Sequence, residues 1–213
     1  MAIVEPGLEI TPEQFLDLPD AEEFELIDGE LVRREMGSQS SWSGGKFYRF
    51  LDEYAERTGL GWVWPADNGF RCFPHAPKRV RRPDASFVRA ERLPGPVLPG
   101  GFLTIAPDLV VEVTSPNERM VEVAEKVEDY LRAGVPLVWV FVPEARIGQV
   151  IRADGTAAWL REGDAFDGEA VVPGFRLPLS KVMPPSPAQP PASGSSGGAG
   201  GSSGSDGGAA GTP

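Results

Sequence analysis

With 213 residues, 41% of them hydrophobic and 24% charged, the chain is long enough for one well-cored domain and too short for two comfortable ones. Its formal charge of -11 excludes wholesale electrostatic wrapping of nucleic acid, because that affinity comes from lysines and arginines that displace counterions from phosphates. A single cysteine, Cys72, excludes an intramolecular disulfide, and with only one histidine there is no zinc site of ordinary spacing.

The lone thiol suits a reducing compartment, and the N-terminus has no basic segment leading into a long apolar run, so a cytoplasmic protein without a membrane span is expected. Thr11-Pro12-Glu13-Gln14 predicts a helix start: threonine caps, proline suits the first helical position, and glutamine reaches back to the cap amide. Phe24 to Ile27, then Asp28-Gly29, then Glu30 to Arg34 predicts a hairpin. Glu25 alternates there with Phe24 and Leu26, as a solvent-facing strand residue would, or as a carboxylate supporting a site.

Met36 to Phe47 is rich in glycine and serine and reads as a loop leading into a helix, with Phe47, Phe50, Leu51 and Tyr54 at helical spacing and Gly59 closing it. Gln39 and the serines around it read as a polar capping loop or as groups facing a ligand. Gly61 to Pro65 and Gly69 to Phe73 read as strands. Their aromatics, Trp62, Trp64, Phe70 and Phe73, are read as core residues, with base stacking as the sharper option. His75 has no nucleophile in a recognisable arrangement and reads as a loop residue.

From Lys78 to Arg92 there are six basic residues against two acids, a local charge of +4 on an acidic chain. Lys78, Arg79, Arg81 and Arg82 are the candidate nucleic-acid contacts, and a solvated charged rim is the plainer reading. Asp84 lies on the strand that follows. A Pro/Gly-punctuated loop from Leu93 to Gly101 comes next. Leu109 to Thr114 is then apolar on both faces, as in a central strand covered on both sides. Glu112 lies in its middle, where an uncompensated carboxylate would carry a large desolvation penalty.

Ser115-Pro116-Asn117-Glu118 reads as a second capping box, opening a helix from Asn117 to Ala133 that Gly134 stops. Met120, Val123, Val127, Tyr130 and Leu131 form its apolar face. Lys126 falls on the border of that face, angled toward the sheet, either as a snorkelling cation or as part of a site. Leu137 to Val142 then completes a strand, helix, strand crossover with parallel neighbours. Strands near Gly148 to Arg152 and Ala157 to Arg161, then short pieces from Phe166 to Val182, complete a domain over 1–183. The 184–213 tail is low-complexity Pro, Ser, Gly and Ala, expected to be disordered.

Strand geometry selects which acids can cooperate. Asp108 and Glu112 share a face but are four residues apart, about 13 Å at ~3.3 Å per residue, too far for one ion to bridge. Directly opposed residues on paired strands have Cβ atoms only ~5 Å apart, so Asp84 and Glu112 can share a cation if their strands pair. Two carboxylates with a main-chain carbonyl, that of Val113, suit Mg²⁺ or Mn²⁺. Such an ion activates water at a phosphodiester, with Lys126 orienting the water or offsetting phosphate charge.

Pro83-Asp84, a glutamate on the next strand and then a lysine resemble the PD-(D/E)XK restriction-endonuclease-like superfamily. More closely, ELIDGEL (Glu25 to Leu31), RRPDASFV, PDLVVEVTSPN and KVEDYLRAGVPLVWV look like the Uma-two family of bacterial endonucleases, over roughly Leu8 to Met183. The resemblance implies an α/β (mixed α+β) fold, a restriction-endonuclease-like mixed β-sheet flanked by helices with additional hairpins. It also implies Asp84 and Glu112 as metal ligands and DNA as substrate. The superfamily's lysine normally lies two residues beyond the acid, where this chain has Thr114, and the family similarity moves the role to Lys126. Relatives look to carry a histidine near the second helix, where this chain reads GSQSSW. A metal-dependent DNA endonuclease is therefore expected, with a non-cutting nucleic-acid or protein binding module as the alternative. A homodimer would supply the two sites that a double-strand cut needs.

Overall fold

A computed structural model describes residues 9–35, 37–93, 95 and 100–185. Apart from its first two residues, the tail expected over 184–213 lies outside the described residues, as does much of the loop expected between Leu93 and Gly101. In chain order the elements are α1 (Pro12–Leu16), β1 (Phe24–Ile27), β2 (Glu30–Arg33), α2 (Ser38–Thr58), β3 (Gly61–Pro65), β4 (Ala85–Arg89) and β5 (Leu109–Val113). There follow α3 (Met120–Arg132), β6 (Leu137–Val142), β7 (Ile147–Arg152), β8 (Ala157–Leu160), β9 (Ala165–Asp167) and β10 (Arg176–Pro178).

Six strands form one mixed sheet in the order β3-β4-β5-β6-β7-β8. Only β5 and β6 run parallel, and α3 connects them as the crossover that parallel neighbours require. Every residue of β5 is buried, as its two-sided apolar pattern predicts. Alternation sends Leu109, Val111 and Val113, with Phe87 and Trp139, into a core shared with Phe47 and Leu51 of α2. Val110, Val138 and Val140 face a second core with Val123, Val127 and Tyr130 of α3. The β1–β2 hairpin turns at Asp28 and Gly29, both at positive φ (54° and 95°), as a two-residue turn demands. It joins the domain through a bridge between Leu26 and Val80.

Three boundaries differ from the sequence reading. The glycine- and serine-rich stretch after Gly37 is the first part of α2 and not a loop, because its small residues serve close packing. Ser40 closes the first turn on Gly37, Ser43 donates to the Val182 carbonyl (2.8 Å), and a Cβ on Gly44 would lie 3.2 Å from that of Asp84. Helix α3 begins at Met120, three residues late. Glu118 does reach back to the Ser115 amide (3.4 Å), but a second such pair, the Arg119 amide on the Glu122 carboxylate (3.0 Å), opens the helix. Met120, expected on the buried face, is consequently exposed. Finally, Gly69 to Phe73 is not a regular strand. Phe70 makes isolated bridges to Arg81 and Leu103, and no ladder continues from them.

Candidate active site

The start of β4 and the end of β5 define the site. Ala85 is paired with Val111, so continuing the antiparallel register by one residue sets Asp84 opposite Glu112. The Asp84 amide donates to the Val111 carbonyl (3.0 Å), and the Val113 amide donates to Asp84 Oδ2 (2.7 Å). The second bond fixes the Asp84 carboxylate against the neighbouring strand. From α3, the Tyr130 hydroxyl donates to Glu112 Oε1 (2.7 Å), while Lys126 Nζ lies 3.4 Å from Glu112 Oε2 and 2.7 Å from Glu118 Oε1. Lys126 and Tyr130 are four apart on the helix and so present to the same place.

Arg34, Glu35, Ser40, Arg82, Asp84, Glu112, Val113, Glu118 and Lys126 line a cavity of about 20 Å³, room for roughly one water-sized guest. Burial raises the Asp84 carboxyl to about 6, against the Val113 amide and the Arg34 charge, which favour the anion. Burial likewise raises Glu112 to about 7; Lys126 pulls it down and Asp84 pushes it up. Burial works against the Lys126 ammonium, but Glu112, Glu25 and Glu118 outweigh it and hold its proton well above the ordinary range. Two acids are thus held together at the cost of desolvation, with one firmly charged lysine beside them.

This donor set fits a hard divalent cation. Among the described residues no three His, Cys, Asp or Glu side chains form a closed ligand group. An ion here would take the Asp84 and Glu112 oxygens, with the Val113 carbonyl and water completing its shell, which is how Mg²⁺ is usually held. A positive charge between them would also relieve the desolvation that keeps both carboxyls protonated to such high pH.

The structure brings Asp84, Glu112, Val113 and Lys126 together, and of the other candidates only Arg82 also lines their cavity. Glu25 is not solvent-facing: it is 3% exposed and accepts from the Arg82 amide (2.8 Å) and from Arg81 (2.9 Å). Burial opposes its charge, yet Lys126 and Arg81 hold its carboxyl below the ordinary range, so Glu25 feels the site electrostatically from behind. Gln39 is exposed on α2, and Ser40 faces the cavity in its stead. Asp108 is buried at the opposite end of β5, bonded to the Arg89 amide (2.9 Å) and to Arg92 (2.8 Å).

The basic segment is not an open cationic face. Lys78 pairs with Glu9, Arg79 with Asp28 and Asp129, and Arg81, itself buried, with Glu25 and Asp129. Arg82 is buried too, donating to the Phe24 and Asp67 carbonyls with its guanidinium near the Phe15 and Phe102 rings. On so acidic a chain nearby carboxylates absorb these charges, and the arginines act as struts between elements. His75 also contacts Asp129 (3.3 Å). Of the candidate stacking aromatics, Phe70 and Phe73 are core residues, Trp64 is 9% exposed, and Trp62 is exposed beside it.

Sequence reasoning missed Arg34, Glu118 and Tyr130 as site residues. Arg34 Nη2 approaches Asp84 Oδ1 to 3.9 Å. The sequence signal for Tyr130 was its position four residues after Lys126, and for Glu118 the same lysine two turns on.

Among curated proteins no match is found. Among solved structures the fold is similar to a crystal structure from Anabaena variabilis ATCC 29413 titled a "putative nuclease belonging to DUF820". The TM-score is 0.70 at 20% identity, over 82% of this chain and 97% of that one. The model of the Uma2 family, described as "putative restriction endonuclease", matches residues 12–180 and so spans the hairpin, both flanking helices and every residue of the cavity, and the chain belongs to that family.

Proposed function

We propose that the chain is a divalent-metal-dependent endonuclease that hydrolyses phosphodiester bonds in DNA. The observation that carries this reading is the opposition of Asp84 and Glu112 across paired strands, with Lys126 in the same small cavity. The family description and the nuclease-like fold support it. When bound, Mg²⁺ or Mn²⁺ would supply Lewis acidity for a water and for the scissile phosphate. The protein's own part is positional and electrostatic. The Val113 amide orients Asp84, the Tyr130 hydroxyl orients Glu112, and Lys126, charged at neutral pH, offers its ammonium to the attacking water or to the charge that grows on phosphorus oxygens.

The test is cleavage of plasmid DNA by the purified protein with Mg²⁺ or Mn²⁺. Asp84→Ala and Glu112→Ala are expected to lower the rate by about 100-fold or more, and Lys126→Ala by about 10²–10³-fold. Full activity in both carboxylate variants would sink the proposal. A second reading, a nuclease-like fold that binds without cutting, draws on Lys126, whose ammonium is shared between Glu118 and Glu112. It predicts no metal-dependent turnover and, by calorimetry, no Mn²⁺ binding that depends on Asp84 and Glu112.

A further inference from the structure

Arg34 lines the cavity, and its guanidinium is held there without a carboxylate hydrogen-bonded to it. Its side chain is 9% exposed, and its guanidinium is held by the main-chain carbonyls of Glu22 (3.3 Å), Ala66 (3.1 Å) and Arg82 (3.2 Å). Three separate segments therefore fix its orientation, and all three acceptors are neutral. The buried guanidinium of Arg81 shows the usual arrangement, with carboxylates bonded directly to it. Arg82 has two aromatic faces against its charge. Arg34 has neither. Its nearest carboxylate, Asp84, is at 3.9 Å, beyond hydrogen-bond range, and among the described residues its Nε donates to nothing.

The charge of the cavity points the same way. Four carboxylates and three cations line it, a net charge of -1 with all of them ionised. A bound divalent ion reverses that to +1, the complement of one phosphodiester. Arg34 and Lys126 line the same cavity as the acids. A guanidinium suits a phosphodiester, because its planar fork presents parallel N–H donors to two phosphate oxygens.

Resting on the endonuclease reading, we infer that Arg34 is the phosphate anchor of the site, donating to non-bridging oxygens of the scissile phosphodiester. It touches substrate and not the metal, so its loss is felt in DNA binding, while Mn²⁺ binding is retained or tightened because a nearby positive charge is removed.

The experiment measures fluorescence anisotropy of a labelled duplex with Ca²⁺ in place of Mg²⁺, at several salt concentrations, for wild type, Arg34→Gln, Arg34→Lys and Arg161→Gln. Arg161 is an exposed arginine following β8 and controls for loss of charge alone. Arg34→Gln is expected to weaken binding about 10-fold and to lower the salt slope by about one, with Mn²⁺ affinity by calorimetry undiminished. Arg34→Lys keeps the slope, and Arg161→Gln keeps both slope and affinity. Arg34→Gln matching Arg161→Gln overturns the inference, as does a parallel loss of Mn²⁺ affinity, which would mean that Arg34 acts through Asp84. Should Arg34→Gln not fold, the wild-type protein decides: the Arg34 Nε–Hε resonance shifts on adding duplex with Ca²⁺, and an unmoved resonance overturns the assignment. Cleavage in Mg²⁺ is scored separately. Arg34-dependent binding without cleavage removes the endonuclease reading and leaves the anchor, whereas cleavage without Arg34 dependence does the reverse.

Discussion

Tyr130 shows how one hydroxyl can set the working state of a carboxylate. Its O–H donates to Glu112 Oε1 and leaves Oε2 toward Lys126 and the cavity. Burial raises the Glu112 carboxyl, and this hydrogen bond is among the effects that favour the anion. Tyr130→Phe keeps the ring in its core and removes only the donor. It is expected to cost about 1–2 kcal/mol of stability and to move the pH midpoint of Mn²⁺ binding upward by up to about one unit. Calorimetric titrations between pH 6 and 9 measure this, and a midpoint equal to wild type would show that the hydroxyl only fills space. Glu112 could be found from sequence because a carboxylate among the four apolar residues of its strand demands compensation. Tyr130 could not, since an aromatic at helical spacing reads as core, which its ring is. Arg34 was hidden for a different reason. The direction of a residue at the end of a hairpin depends on where that hairpin docks, and local pattern does not encode docking.

At the scale of an element, α2 is shaped by its glycines. Gly44 is buried where a Cβ would come within 3.2 Å of Asp84, whereas Gly45 is exposed with nothing within 4 Å. Adjacent glycines on one helix thus have opposite meanings. Gly45→Ala is expected to stabilise the protein by about 0.5–1 kcal/mol through helix propensity alone, with activity unchanged. Gly44→Ala gains the same propensity but presses on a carboxylate already pinned by the Val113 amide. It is expected to lower nuclease activity about 10-fold or more, in line with the cost of small displacements at a reacting centre. Urea titrations and plasmid cleavage on the two variants separate the effects; equal activity in both would show that Asp84 yields freely. The same glycines explain the misplaced start of this helix. Gly-Gly among serines has the composition of a loop, and only the partner across the gap shows that the small residues are there for close approach. By contrast α1, the β1–β2 hairpin and the β5-α3-β6 crossover were legible, because a capping box, an Asp-Gly turn and apolar runs of strand length are local signals.

On the scale of the whole molecule, the pairing of β4 with β5 makes the site, and the connection between them is long enough that sequence could state the pairing only as a condition. That register collects two acids in one buried cavity, so the fold is expected to register their ionisation. Both carboxyls titrate higher in the folded chain, at about 6 for Asp84 and about 7 for Glu112, than the roughly 4 of an unfolded chain. The native state therefore binds more protons than the unfolded state between about pH 4 and 7, and stability without metal falls as pH rises through that window. The two carboxyls repel each other across the same cavity, so the fall belongs to the pair and not to either group alone. Glu25 acts with the opposite sign, because its folded carboxyl is lowered; its contribution is lost only below the ordinary carboxylate range and does not mask the trend. Urea unfolding at pH 5 and pH 8 with a chelator present should show the lower stability at pH 8. Asp84→Asn combined with Glu112→Gln should flatten the difference while leaving the fold intact. Mn²⁺ at about 100 times its dissociation constant should return about 2.7 kcal/mol at pH 8, and much less at pH 5, where protons compete for the same oxygens. Stability without metal that is equal at the two pH values, or greater at pH 8, would mean that Lys126 alone satisfies both acids, and the case for a cation between them would lose its physical motive.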